Sequence, residues 1–171
     1  LMGDWAEVGA MVGTLDREIE TEDVSVANVR FASGALAPVL NSVLSPRQET
    51  YLRFDFQHAT AELRALYGYT NEHWQFSATS EIEQSTLDRW QDIGEDVEAN
   101  HAAQVAALLD DMDQNRRPLT SGDQARRTLE FLTALYKSAF TGQRVRRGSI
   151  EPGDPYYRAI HGGTPAAELS A

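Results

Sequence analysis

The 171-residue chain contains no cysteine. Disulfides, thiolate metal sites and cysteine nucleophiles are therefore excluded, which fits a reducing compartment. Basic residues are scarce too: 15 lysines and arginines stand against 26 aspartates and glutamates, a formal charge of -11. A general binder of nucleic acid or of an anionic membrane needs the opposite balance, so neither is an expected partner. No run approaches the ~18 apolar residues needed to span a bilayer. The opening LMGDWAEVGA lacks the basic-then-apolar order of a signal peptide. A cytoplasmic location is the expectation. There is no Gly-x-Gly-x-x-Gly, no Walker loop and no Gly-x-Ser-x-Gly elbow, so this chain supplies neither a standard phosphate cradle nor an acyl-transfer serine.

What is present is a chain 42% hydrophobic, suited to one domain with a tail. Its first half alternates. In ETYLRFDF, Leu52, Phe54 and Phe56 share one face, and in ATAELRALY, Ala61, Leu63, Ala65 and Tyr67 share one. This period of two marks half-buried strands. EVGAMVGT, DVSVANVRF, ALAPVLNSV and EHWQFSA read as further strands, with Ser33-Gly34 as a turn and Pro38 on an edge. A short helix starts near Ser85 and ends near Gly94. The last third is helical. HAAQVAALLDDM places Ala102, Val105, Leu108, Leu109 and Met112 on one side. ARRTLEFLTALYKSAFTG has an apolar stripe of Ala125, Leu129, Leu132, Tyr136, Ala139 and Phe140, opposite Arg126, Arg127, Glu130, Thr133 and Lys137. Ser121-x-x-Gln124 is a capping box ahead of it, and Gly142 is its stop. Strands followed by helices predict an α+β fold: one open, mostly antiparallel or mixed sheet with helices on one face. The expected division is a domain over 1–148 and a surface tail over 149–171.

No set of residues declares a catalytic centre. The histidines His58, His73, His101 and His161 lack the spacing of a zinc pair. Glu98-x-x-His101 reads as an acidic first helical turn. Glu18, Glu20, Glu22 and Asp23 read as a solvated loop, and Arg144, Arg146 and Arg147 as cations at a helix C-terminus. Asp110, Asp111 and Asp113 lack the glycine and distal glutamate of an EF-hand. The richest polar-aromatic cluster is Tyr67, Tyr69, His73 and Trp74. Aromatic faces with adjacent donors suit a sugar or polyol, and they equally suit a sheet edge.

The order of EDVSVANVRFASGALAPVLNS, ATAELRALYGY, the long helical segment ending in LYKSAFTG, and EPGDPYY resembles the C-terminal domain of the Gfo/Idh/MocA oxidoreductases, the glucose–fructose oxidoreductase and inositol 2-dehydrogenase relatives. The likeness runs from Glu7 to about His161. It implies a two-domain parent of dihydrodipicolinate-reductase-like build, with NAD or NADP held by an N-terminal Rossmann domain. It also implies a sugar, inositol or related polyol as substrate, and a homo-oligomer formed through the open sheet face. The family's Glu-Lys-Pro and Asp-x-Gly-x-His-x-x-Asp motifs are absent, so no catalytic, cofactor-binding or metal residue carries over. The resemblance thus implies a fragment beginning after the catalytic helix, inactive alone, with Tyr67, Tyr69, His73 and Trp74 as its candidate substrate contacts. Two other readings stay open: a non-enzymatic module that dimerises through its sheet, and a sugar-binding module acting alone.

Overall fold

The computed structural model describes residues 2–96 and 100–163. It divides into two compact units, one of Leu1–Ser45 with Leu119–Ala171, the other of Pro46–Pro118. Expectations resting on Leu1, on Glu98 or on residues 164–171 lie outside the described residues.

The first unit holds the strands β1 (Trp5–Gly13), β2 (Val24–Phe31) and β3 (Leu36–Ser42). A two-residue strand, Val145–Arg146, adds to the other edge of β1; it is numbered β7, after the three strands of the second unit. The order is β3-β2-β1-β7, every pairing antiparallel. Pro38 falls on β3, at an edge, where its missing donor costs no ladder bond. Gly34 takes φ 90° in the β2–β3 turn, a conformation open to glycine. Register sets Val8, Val29 and Ala37 in one row and Ala10, Ala27 and Val39 in the next. These rows form the inner face, and the helix α3 (Gly122–Thr141) packs on it.

The helix meets the sheet along a line beside its apolar stripe, of which Leu132 and Tyr136 still border one end of the sheet. Its buried residues are Thr133, Ala134 and Ser138, while Leu129 is 58% and Leu132 42% exposed. Small side chains let the helix backbone approach the sheet, and the apolar stripe falls beside the contact. Ala134 joins Val8, Ala27, Val29 and Val145 in the core, with Phe131 and Leu135 packed around it. Ser138 does more than fill space. β7 pairs only with Glu7 and Val8, and the Ala10 N–H further along that edge donates to Ser138 Oγ at 2.9 Å. Ser121 is the N-cap of α3, but its side chain makes no cap hydrogen bond, so the capping box is not formed. Gly142 ends the helix at φ 66°. Glu130 and Lys137, expected to face solvent, instead tie the helix to the segment on its C-terminal side. Glu130 accepts from the Gly148 N–H at 2.8 Å, and Lys137 is paired with Asp154 beside the Tyr156 ring.

Asp23 also departs from expectation. It is 2% exposed, and its carboxylate accepts from the backbone N–H groups of Leu15, Asp16 and Arg17. Desolvation pushes its pKa up, but the amides together outweigh it and hold the carboxyl below its ordinary range. A lowered folded-state pKa gives stability that is full above the unfolded value of about 3.9 and is lost as pH falls through the folded one. In thermal melts across pH, Asp23→Asn is expected to melt several degrees below the parent near neutrality. The gap should close as pH falls through the lowered folded-state value. A gap that stays constant with pH would contradict this role.

The second unit is a three-stranded antiparallel sheet, β4 (Thr50–Asp55), β5 (Ala59–Ala65) and β6 (Trp74–Ala78), with β5 central. The α+β layering is as expected, with the strands divided between two sheets. One face of this second sheet is apolar: Leu52, Leu63 and Trp74 form a row, and Phe54, Ala61 and Phe76 the next. Leu63 is 1% exposed. The other face is polar, with Tyr51 donating to Glu62 at 2.5 Å and Arg64 over the Tyr51 ring at 4.5 Å. Two helices complete the unit, α1 (Gln84–Gln91) and α2 (His101–Asp113). Asn100 caps α2 by accepting from the Ala103 N–H at 2.8 Å. The α2 stripe of Val105, Leu108, Leu109 and Met112 is exposed rather than buried.

Candidate functional site

The four residues singled out from the sequence sit close in the chain but do different things. Tyr67, in the turn after β5, is 87% exposed and Tyr69 is 48% exposed. His73 closes a short 3₁₀ turn of Asn71–His73, where its Nδ1 accepts from the Thr70 N–H at 2.9 Å. That acceptor role places the proton of a neutral imidazole on Nε2. Trp74 opens β6 and lies between Phe54 and Phe76, at ring-centre distances of 6.5 and 6.4 Å. The sheet has taken the indole and the turn has taken one imidazole nitrogen. The two tyrosines keep free surface.

The charged clusters are mostly self-paired. Arg144 and Arg146 both reach Glu7, at 3.3 and 3.8 Å, and Arg147 reaches Asp4 at 2.5 Å. Arg147 holds the Asp4 carboxyl below its ordinary range, chiefly through that hydrogen bond. Asp110 and Asp111 share Arg116. Among the described residues no group of three or more His, Asp or Glu is placed to hold a metal ion, and no helix is long and apolar enough to cross a membrane.

Two concave surfaces stand out. The first is on the outer face of the four-stranded sheet. Register lines up Met11, Val26 and Leu40 across three strands, with Glu7, Arg30 and Leu36 in another row. Met11 and Leu40 are each 72% exposed. A groove of about 710 Å³ takes in Met11 and Val26 and extends to Ser138, Ala139 and Gly142 at the end of α3, with Glu7, Asn28, Arg30 and Arg144 as polar groups in its wall. In the sequence the inner alternation of β1–β3 overshadows this outer row, although its apolar residues recur with the same period of two. The second is an apolar hollow of about 340 Å³ in the three-stranded unit, where Phe56, Phe76 and Trp90 surround Ala59 and Ala61. His58 stands at its rim, 3.4 Å from Glu81. Neither surface is lined by Tyr67, Tyr69, His73 or Trp74.

No family model matches the chain, and no curated protein does. Solved structures do. A WlbA dehydrogenase from Bordetella pertussis, in complex with NADH and UDP-GlcNAcA, is 24% identical with a TM-score of 0.69, over 85% of this chain and 41% of that one. The WlbA dehydrogenase from Chromobacterium violaceum, with the same two ligands, is 27% identical with a TM-score of 0.65, again over 85% and 41%. An oxidoreductase from Agrobacterium radiobacter in complex with NAD+, L-tartaric acid and magnesium is 21% identical with a TM-score of 0.63, over 88% and 45%. These neighbours are oxidoreductases of the Gfo/Idh/MocA type, and the fold shared with them is that of their C-terminal domain. The chain spans less than half the length of these structures.

Proposed function

We propose that this chain is the substrate-side and oligomerising domain of an NAD(P)-dependent oxidoreductase. The parent moves a hydride between nicotinamide and a hydroxyl-bearing carbon of a sugar, inositol or related polyol. The observation that carries the reading is the fold likeness over 85% of this chain to two dehydrogenases holding NADH and UDP-GlcNAcA, at 41% of their length. The absence of any dinucleotide glycine motif in the sequence supports a division of labour. The cofactor and the groups that move the proton belong to a preceding domain, and the nicotinamide supplies the hydride chemistry when bound there.

In this reading the chain's own residues shape and close the substrate side. The exposed Tyr67 and Tyr69 offer aromatic faces and hydroxyls to a sugar, while His73 and Trp74 fix the turn and strand that present them. The outer row of Met11, Val26 and Leu40 is where a second copy packs, since an apolar row of this exposure is stabilised by being covered. The same row also supports the non-enzymatic reading, a sheet module that only dimerises.

One experiment separates them. The chain is expressed alone and together with the coding sequence that precedes it. Nicotinamide binding is followed by calorimetry, and hydride transfer by absorbance, with UDP-GlcNAcA and inositol as substrates. The isolated chain is expected to bind NADH at least about 100-fold more weakly than the longer one, and only the longer one to turn over. Micromolar NADH binding by the isolated chain would overturn the division of labour. No turnover and no NADH binding by the longer chain would favour the sheet module.

A further inference from the structure

The inner face of the four-stranded sheet ends in a row unlike the two before it. Register aligns Val12, Ser25 and Asn41, so two of its three residues are polar on a face otherwise apolar. Helix α3 reaches this end with Leu132, Leu135 and Tyr136, and a cavity of about 130 Å³ remains between them. Its polar wall is only partly self-satisfied. Tyr136 donates its hydroxyl to Glu22 Oε1 at 2.7 Å, and Asn41 reaches Ser25 Oγ at a long 3.4 Å. Burial, with the Glu22 carboxylate beside it, pushes the Tyr136 phenol up to about 12, so it stays a donor at any ordinary pH.

We infer that this cavity binds a small neutral polyol. The wall offers carboxylate, hydroxyl and amide groups, and Val12, Val39 and Leu135 supply an apolar floor for C–H groups. An anion would meet Glu22 in a chain of net charge -11. A purely apolar guest would cover the Ser25 and Asn41 side chains with only their long 3.4 Å bond to each other, leaving the rest of their hydrogen-bonding capacity unmet, which is costly. The space equals about four liquid-water volumes. That matches a glycerol unit, either as a free triol or as the terminal hydroxymethyl end of a longer sugar alcohol. This site lies on this chain's own residues and uses no nicotinamide, so it goes beyond the hydride-transfer reading and is tested apart from it.

The test is a glycerol titration of the full chain followed by NMR, reading the Asn41 side-chain amide and the Ser25 backbone amide. Propan-1-ol serves as the matched probe with fewer hydroxyls. Erythritol probes the longer class. Saturable shifts with a Kd of about 1–10 mM are expected for glycerol, with propan-1-ol at least tenfold weaker. Asn41→Ala and Glu22→Gln should each weaken glycerol about tenfold while leaving the rest of the spectrum in place. Asn41 is exposed on an edge strand, so its variant folds even if the Glu22 variant does not. Shifts that grow linearly without saturation, equal binding of propan-1-ol, or undiminished binding by Asn41→Ala would overturn the assignment.

Discussion

Leu63→Ala is expected to destabilise the protein by about 2–5 kcal/mol, the range for emptying a closed leucine site. Leu63 is 1% exposed in the middle strand of its sheet, flanked in register by Leu52 and Trp74. The loss combines the transfer free energy of the removed carbons with the cavity they leave. A three-stranded sheet with its neighbours locked by stacked rings has little room to collapse around that cavity. Against a typical total of about 5–15 kcal/mol the effect is large. Urea unfolding followed by tryptophan fluorescence should show a midpoint lower by on the order of 1 M. Leu52→Ala in the same row is the comparison. Leu52 is already 42% exposed, so less than half the effect is expected. Equal losses at the two positions would show that Leu63 is not the centre of that core.

Ala134→Leu is the second large effect, in the opposite direction of volume. Ala134 is fully buried where α3 lies on Val8, Ala27 and Val29. A larger side chain there has nowhere to go but between helix and sheet. Overpacking of this kind costs about 1–3 kcal/mol, and more where the backbone must separate. It would also pull Ser138 away from the Ala10 N–H that it satisfies. Leu129→Ala, on the exposed stripe, should by contrast stay within about 0.5 kcal/mol. Thermal melts of the pair decide which face of α3 is the packing face. If Leu129→Ala were the damaging change, the stripe read from the sequence would be the true contact.

That contrast locates what the sequence could and could not reveal. The strands were legible because period-two alternation is a direct consequence of the pleat: β4 and β5 fall on segments that alternate, and β1, β2, β3 and β6 on segments read as strands beside them. Pro38 announced an edge and Gly142 a helix end, because each lacks something the alternative would need. The rotation of α3 was not legible. A helical wheel ranks residues by apolarity, whereas the sheet selected Thr133, Ala134 and Ser138 by size and by one hydroxyl. The burial of Asp23 was hidden for a related reason. Four acidic residues in a loop look alike until the backbone curls three N–H groups around one of them. The division of strands between two sheets was equally hidden, because pairing partners are set by chain reversal and not by the strands' own pattern. For the candidate site, the sequence picked out four residues that are close in the chain. It could not tell that Trp74 is stacked within its sheet and that Tyr67 is free.

The bond from the Ala10 N–H to Ser138 also bears on how the molecule behaves in company. β7 stops after two residues, and a strand edge left bare beyond it would be a template for another chain to add to. Ser138 occupies that edge from the side, with a hydroxyl carried on a helix in place of a neighbouring strand's carbonyl. The helix thereby acts as a guard against edge-to-edge aggregation at this edge of the sheet.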